Sequence, residues 1–236
     1  MQKPQVSLVI PLYNESSNVR PLVEAIAKTM EPLGISYEGI FVDDGSTDRT
    51  LEELHSFAAA NPWMRAIGFR NNCGQSAAFE AGFRAAQGEV VVTMDADLQN
   101  DPADIPKLLA AMKDADAVCG VRANRQDNAW RRFCSRFANA TRRLITGDNY
   151  HDVGCSLKAM KSCYLVKLKM FAGMHRFLPI LLEMEGAKVI EMPVSHRPRL
   201  SGVSKYTARS RMWRALADAF AVRWMKKRIQ IYEAKK

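Results

Sequence analysis

The sequence predicts an α/β protein, a mostly parallel sheet flanked by helices, with an amphipathic helix at its C-terminal end. Three observations carry this expectation. Short β-branched apolar runs alternate with helical patterns through the first half of the chain. Two of those runs end in clustered acids, Asp43-Asp44 and Asp95-Ala96-Asp97. A length of 236 residues, 47% of them hydrophobic, suffices for one substantial core.

Element by element, Val6 to Leu12 is an apolar strand, and a helix from about Ser17 to Met30 follows it, with Leu22, Ile26 and Met30 on one face. Tyr37 to Val42 is the second strand and runs into Asp43-Asp44-Gly45-Ser46-Thr47-Asp48. A helix from Asp48 to about Ala60, a strand over 64–69 and an alanine-rich helix from about Gln75 to Ala86 lead to the acidic strand at 89–94. The rhythm then changes: a helix near 103–113, a short strand at 117–121, a basic helix near 128–146 and a loop at 147–152. Ala187 to Pro193 reads as a strand feeding a polar loop that holds His196, Arg197, Arg199 and Lys205. From about 208 to 232, Trp213, Leu216, Phe220 and Trp224 recur at spacings of three and four. Arg209, Arg211, Arg214, Arg223, Lys226, Lys227 and Arg228 supply charge there, opposed only by Asp218. That pattern fits a helix lying in a membrane interface, and equally a helix docked on the protein's own core or on a partner.

The net charge of +9 conceals a split. Residues 1–119 carry 9 basic and 17 acidic side chains, and residues 120–236 carry 25 and 8. The second half therefore suits an anionic partner: nucleic acid, phospholipid or a phosphorylated substrate. Acidic strand ends and the lack of a nucleic-acid motif weigh against a nucleic-acid-binding module. No apolar stretch reaches the roughly 18–20 residues that cross a bilayer, and Met1-Gln2-Lys3-Pro4 opens no signal peptide, so a cytosolic protein is expected. The cysteines, Cys73, Cys119, Cys134, Cys155 and Cys163, form no CxxC pair and read as reduced thiols. His55 reads as inert in a surface helix; no metal-ligand spacing links His151, His175 and His196, which are expected at most to hydrogen-bond around a substrate.

The acids carry the chemistry. Open parallel sheets bind ligands at the carboxyl ends of their strands, so two acidic strand ends imply one crevice. Asp95 and Asp97, helped by the Gln99 amide, are spaced to converge on one hard divalent cation, Mg2+ or Mn2+, which would hold a diphosphate. The same acids read alternatively as caps of the helix after Pro102.

Five blocks, in order, resemble a family 2 inverting glycosyltransferase of the GT-A fold, and within it the polyprenol-phosphate sugar transferases. They are Ser7-Leu8-Val9-Ile10-Pro11-Leu12-Tyr13-Asn14-Glu15, Val42-Asp43-Asp44-Gly45-Ser46-Thr47-Asp48, Arg70-Asn71-Asn72-Cys73-Gly74-Gln75, Asp95-Ala96-Asp97-Leu98-Gln99 and Arg199-Leu200-Ser201-Gly202-Val203-Ser204-Lys205-Tyr206. The resemblance implies a catalytic unit over 1–207, split into a nucleotide-sugar half (1–119) and an acceptor half (120–207), followed by a basic helix and tail at 208–236. It puts Pro11, Tyr13, Glu15, Val42, Asp44, Asp95 and Ala96 around a UDP- or GDP-linked donor, with Asn71 and Asn72 bracing the turn before Gly74. Asp95, Asp97 and Gln99 would hold the metal, with Asp97 central to catalysis. Arg122, Arg131 (or its neighbour Arg132), Arg199 and Lys205 would hold the acceptor phosphate. Asp152 would orient the sugar, or act as base if the acceptor were a glycan or lipid-linked sugar hydroxyl. Many relatives continue into transmembrane helices, so the expected setting is the cytosolic membrane face, reached through residues 208–232 or through a small membrane protein partner.

Overall fold

The computed structural model describes residues 3–123, 139–197 and 208–229, with side chains in the last segment from Trp213 onward. Arg131, Arg132, Arg199 and Lys205 lie outside the described residues.

Seven strands form one sheet in the order β3-β2-β1-β4-β6-β5-β7. β1 (Val6–Leu12) is central and buried along its whole length, as expected of a strand covered on both faces. It pairs in parallel with β2 (Tyr37–Asp43) on one side and β4 (Val90–Thr93) on the other, and β3 (Met64–Gly68) extends the sheet from β2. Between them run α1 (Ser16–Met30), α2 (Thr50–Ala60) and α3 (Gln75–Ala85). α1 buries Val19, Leu22, Val23, Ile26 and Met30, the stripe that a period of 3.6 residues produces.

Beyond α4 (Ile105–Ala111), β5 (Ala117–Arg122) and β7 (Val189–Val194) pair in parallel at the far edge. Between β4 and β5 lies β6 (Lys158–Lys161), antiparallel to both neighbours. The sequence reading has no strand here, because Lys158-Ala159-Met160-Lys161 offers no β-branched run. The helix expected over 128–146 is seen over 139–146 (α5), and two short helices, α6 (Ser162–Leu165) and α7 (Leu178–Met184), follow β6.

α8 (Ala208–Arg228) has two working faces. Ala219 and Val222 are buried, with Met225 and Ile229 half-buried beside them, so one face docks on the protein's own core. The other leaves Trp213, Phe220 and Trp224 66%, 58% and 63% exposed. Arg223 and Lys226 donate to the carbonyls of Ile145 and Gly147 at the end of α5, where the helix dipole favours cations. Docking on the protein's own core, one of the expectations for this segment, is therefore observed. No helix among the described residues is long and apolar enough to cross a membrane.

Candidate active site

Because β2, β1 and β4 are parallel neighbours, their carboxyl ends bring the two acid turns to one edge of the sheet. The turns are joined by the loop before α3. Asp44 accepts hydrogen bonds from the backbone N–H of Cys73 (2.7 Å) and Gly74 (2.9 Å) and from Asn72 Nδ2 (2.9 Å). Burial nevertheless pushes the Asp44 carboxyl above its ordinary pKa, with those bonds opposing it. The contact depends on Gly45, where a Cβ would sit 2.5 Å from the Asn71 backbone. One residue past Gly74, Gln75 Nε2 donates to Asp95 Oδ1 (2.8 Å). The Asn72 side chain thus braces this loop.

Asp95 also sits against β6. Its backbone N–H donates to Ser156 Oγ (3.1 Å), whose hydroxyl donates to Asn100 Oδ1 (2.6 Å), while Thr93 Oγ1 donates to the Ser156 carbonyl (2.6 Å). Burial raises the Asp95 pKa first and the charge of Asp97 second, with Ser156, Lys158 and Arg122 pulling it back. Asp97 is buried and accepts from the Gln99 backbone N–H (3.1 Å) through a turn in which Leu98 takes φ 58°. A non-glycine residue held in that region is the kind of backbone strain that collects at functional sites.

Two carboxylates near enough to repel, one of them desolvated, are a hard-oxygen pair suited to a divalent cation, whose remaining positions water and substrate phosphates can fill. Asp95 and Asp97 therefore fit the expected metal. Among the described residues no group of three or more His, Cys, Asp or Glu offers a complete protein cage. Asp101, four residues past Asp97, caps the following turn through the Ala103 N–H (3.1 Å).

A cavity of about 760 Å³ opens over Asp95. Among its lining residues are Gln75, Asp95, Ser156, Arg122, Lys158, His175, Arg176, Arg214 and Asp218. Arg122 is committed to Asp152: Nε and Nη2 donate to the two carboxylate oxygens at 2.7 and 2.8 Å, and the Arg122 backbone N–H adds a bond of 3.2 Å. Burial disfavours the guanidinium, but Asp152 outweighs it and the Arg122 pKa is raised. Lys158 is 2% exposed and donates to the carbonyls of Val153 and Cys155. His175 shares a 2.7 Å hydrogen bond with Ser76 Oγ. Burial, then Arg176 and Lys158, lower its pKa to about 3, so the ring is neutral. Ser76 Oγ also accepts from the His175 backbone N–H (3.4 Å).

The predicted residues divide into three groups. Asp95 and Arg122 line the cavity, and Asp97 and Asp152 stand directly behind them. Asp152, expected to orient the sugar or to act as base toward a hydroxyl acceptor, has both its oxygens engaged by Arg122. The nucleotide-side residues stand apart from this cavity. Glu15 accepts from Asn18 Nδ2 (2.6 Å), Pro11 and Ala96 are buried, Tyr13 is half-buried, and Val42 is wholly covered in the core with Val9, Ala78 and Phe79. Val42 therefore supports the sheet from within and presents no surface to a base. Around the third group, Arg199 and Lys205, the chain is described only as far as Arg197. That residue pairs with Asp101 and donates its N–H to the Gln99 carbonyl (2.8 Å), so the approach to the polar loop is pinned to the acid turn. Sequence reasoning missed Arg176, Ser76 and Lys158 as cavity walls and read Arg214 and Asp218 only as helix charges.

Comparison with known proteins agrees with this geometry. A chain 39% identical over 228 residues, from Rhizobium johnstonii, is named dodecaprenyl-phosphate galacturonate synthase; the match covers 94% of this chain and 67% of that one. Another, 39% identical, from Edwardsiella ictaluri, is named undecaprenyl-phosphate 4-deoxy-4-formamido-L-arabinose transferase, with 85% and 62% covered. This chain thus spans about two thirds of such relatives or less. Two solved structures share the fold. The mannosyltransferase PcManGT from Pyrobaculum calidifontis, in complex with GDP-Man and Mn2+, matches with TM-score 0.69 at 23% identity over 94% of this chain and 64% of that one. Glucosyl-3-phosphoglycerate synthase from Mycobacterium tuberculosis, in complex with Mn2+ and UDP-Glc, matches with TM-score 0.65 at 18% identity over 94% and 79%. The model of glycosyl transferase family 2 matches residues 7–165. By sheet order, acid turns and sequence alike, the chain belongs to glycosyl transferase family 2.

Proposed function

We propose that the protein transfers one sugar, with inversion, from a nucleotide sugar to a polyprenyl phosphate at a membrane surface. The observation that carries this is the cavity itself: about 760 Å³ lined by the Asp95 carboxylate together with Arg122, Lys158, Arg176 and Arg214. The carboxylate suits a cation-bound diphosphate and the cations an anionic acceptor. The two relatives named for polyprenyl-phosphate substrates support the acceptor class.

In this reading Asp95 and Asp97 hold the divalent ion, Mg2+ or Mn2+, assisted by Gln99. When bound, that ion supplies positive charge against the negative charge growing on the departing nucleoside diphosphate. The acceptor's phosphate oxygen forms the new bond to the anomeric carbon from the opposite face. The bond from that carbon to the diphosphate breaks, and its electron pair leaves with the nucleotide. Because the acceptor oxygen is already ionised, no strong base is needed. The task left to the protein is alignment. Arg122, oriented by Asp152, keeps its Nη1 donors for substrate. Arg199, with Lys205 and Arg131, is assigned to the acceptor phosphate. Tyr13, Glu15 and Asp44 are assigned to the nucleotide side, where Asp44 acts through the loop it holds. A hydroxyl acceptor with Asp152 as base fits less well, since the carboxylate is already held by Arg122 through both oxygens.

The exposed Trp213, Phe220 and Trp224 together with the cations of α8 suit the interface of an anionic bilayer. The test is to incubate the protein and Mg2+ or Mn2+ with a panel of UDP- and GDP-sugars and a short polyprenyl phosphate, with and without chelator, and to look for lipid-linked sugar. Chelator-sensitive product is expected, and folded protein that makes none across the panel would overturn the proposal.

A further inference from the structure

Arg122 and Lys158 are occupied, by Asp152 and by two backbone carbonyls. Two other lining cations differ. Arg176, from the turn Met174–Phe177, and Arg214, from α8, both line the cavity, and among the described residues no carboxylate lies within ion-pair distance of either. Asp218 lies close enough for both guanidiniums to pull against the rise that burial imposes on its pKa. It is also fixed in place: Gly173, at φ 87°, packs so closely that a Cβ there would fall 2.3 Å from Asp218 Oδ2. The cluster therefore has a net positive charge and two available planar forks, the geometry that recognises phosphate and carboxylate oxygens.

Its location says which oxyanion would arrive. Arg214 follows Trp213, and Asp218 lies two residues before Phe220, so α8 carries the cavity wall and the exposed aromatic face on a single rigid element. A lipid whose tail rests in the layer that the aromatics occupy lies against the helix that carries Arg214. We propose that Arg176 and Arg214, with Asp218 as the neighbouring counter-charge, form an entry subsite that receives the phosphate of the lipid acceptor and orients it toward Asp95. This rests on the reading that the acceptor is a polyprenyl phosphate. It assigns positioning roles to residues apart from the polar loop at 198–207.

The experiment measures binding of farnesyl phosphate, and of farnesol as the uncharged control, to the 236-residue chain by calorimetry in the presence of Mn2+ and UDP or GDP. Arg176→Gln and Arg214→Gln each weaken farnesyl phosphate about tenfold, the factor of one charge-assisted hydrogen bond, leave farnesol unaffected and leave nucleoside diphosphate binding unchanged. Arg214→Lys retains most of the affinity. Asp218→Asn, which keeps shape and removes the counter-charge, tightens farnesyl phosphate a few-fold, a gain that a merely structural role would not give. Unchanged affinity in both glutamine variants, or a wild type that binds farnesyl phosphate no better than farnesol, overturns the subsite. So does a loss in the variants seen only for UDP-galacturonic acid relative to UDP-glucose, which would make the cluster a reader of the donor. If the wild type binds farnesyl phosphate and the variants lose it while no sugar is transferred to it, the transferase reading fails and the subsite stands.

Discussion

Asp152→Asn separates a positioning carboxylate from a base. The substitution keeps the shape of the side chain but removes the charge that pairs with Arg122 through bonds of 2.7 and 2.8 Å. Removing one partner of a buried ion pair costs about 3–5 kcal/mol. Here the side chains are 21% and 10% exposed, and the Asn amide keeps one acceptor, so about 2–3 kcal/mol is expected. For a domain of this size that lowers Tm by about 5–10 °C. Because no proton need be removed from a phosphate acceptor, kcat should stay within about tenfold of wild type while the acceptor KM rises with the loosened Arg122. A double-mutant cycle with Arg122→Gln should return a coupling of about 2 kcal/mol in stability. Initial rates and thermal unfolding measure both. A folded Asp152→Asn enzyme whose kcat falls by about 10³ at unchanged KM, with the basic limb of its pH profile lost, would refute the reasoning, since general bases contribute about 10²–10⁴.

Asp95→Asn should abolish transfer yet raise the Tm of the metal-free protein, by about 0.5–2 kcal/mol of stability, because it deletes a desolvated charge repelled by Asp97. The effect has a sign in pH. With its folded pKa raised, Asp95 holds a proton more tightly in the native state than in the unfolded chain, so stability is lost as pH rises from its ordinary value toward the raised one. The Tm gap between Asp95→Asn and wild type should therefore be small near pH 4 and widen by pH 7, and a constant gap would contradict the assignment. Replacing Trp213, Phe220 and Trp224 together by Ser should leave the Tm within a few degrees while vesicle flotation on anionic liposomes falls at least tenfold. Gly82→Ala should destabilise by about 1–3 kcal/mol despite the better helix propensity of Ala, because the new Cβ would stand 2.2 Å from Val9 Cγ1, and thermal unfolding reads this directly.

The parallel half of the sheet is legible because β1, β2 and β4 are apolar runs, the last two closed by acidic turns, and the intervening helices show apolar stripes. Legibility fails where the period vanishes. β6 is a four-residue strand bounded by lysines, and α7, Leu178-Pro179-Ile180-Leu181-Leu182-Glu183-Met184, is buried at six of seven positions, so neither carries an alternating signal. The acid turns could be read from a spacing of two residues. The cationic wall could not, because Arg176 and Arg214 become neighbours only when α8 docks at Gly173. Asp152 and Arg122 are each visible in sequence, but their mutual engagement follows from the register between β5 and the turn before β6. The aromatic period of α8 is plain, whereas its second, core-facing stripe of Ala219, Val222, Met225 and Ile229 is masked by small size and by flanking cations.

The most direct measurement compares two acceptors in one transfer assay with Mn2+ and a saturating nucleotide sugar: farnesyl phosphate and farnesol, identical apart from the phosphate. The expected result is a glycosyl phosphate of inverted anomeric configuration from farnesyl phosphate, and no product from the alcohol. Equal turnover of the two, or transfer only to a sugar hydroxyl, would contradict a site built to align an ionised phosphate.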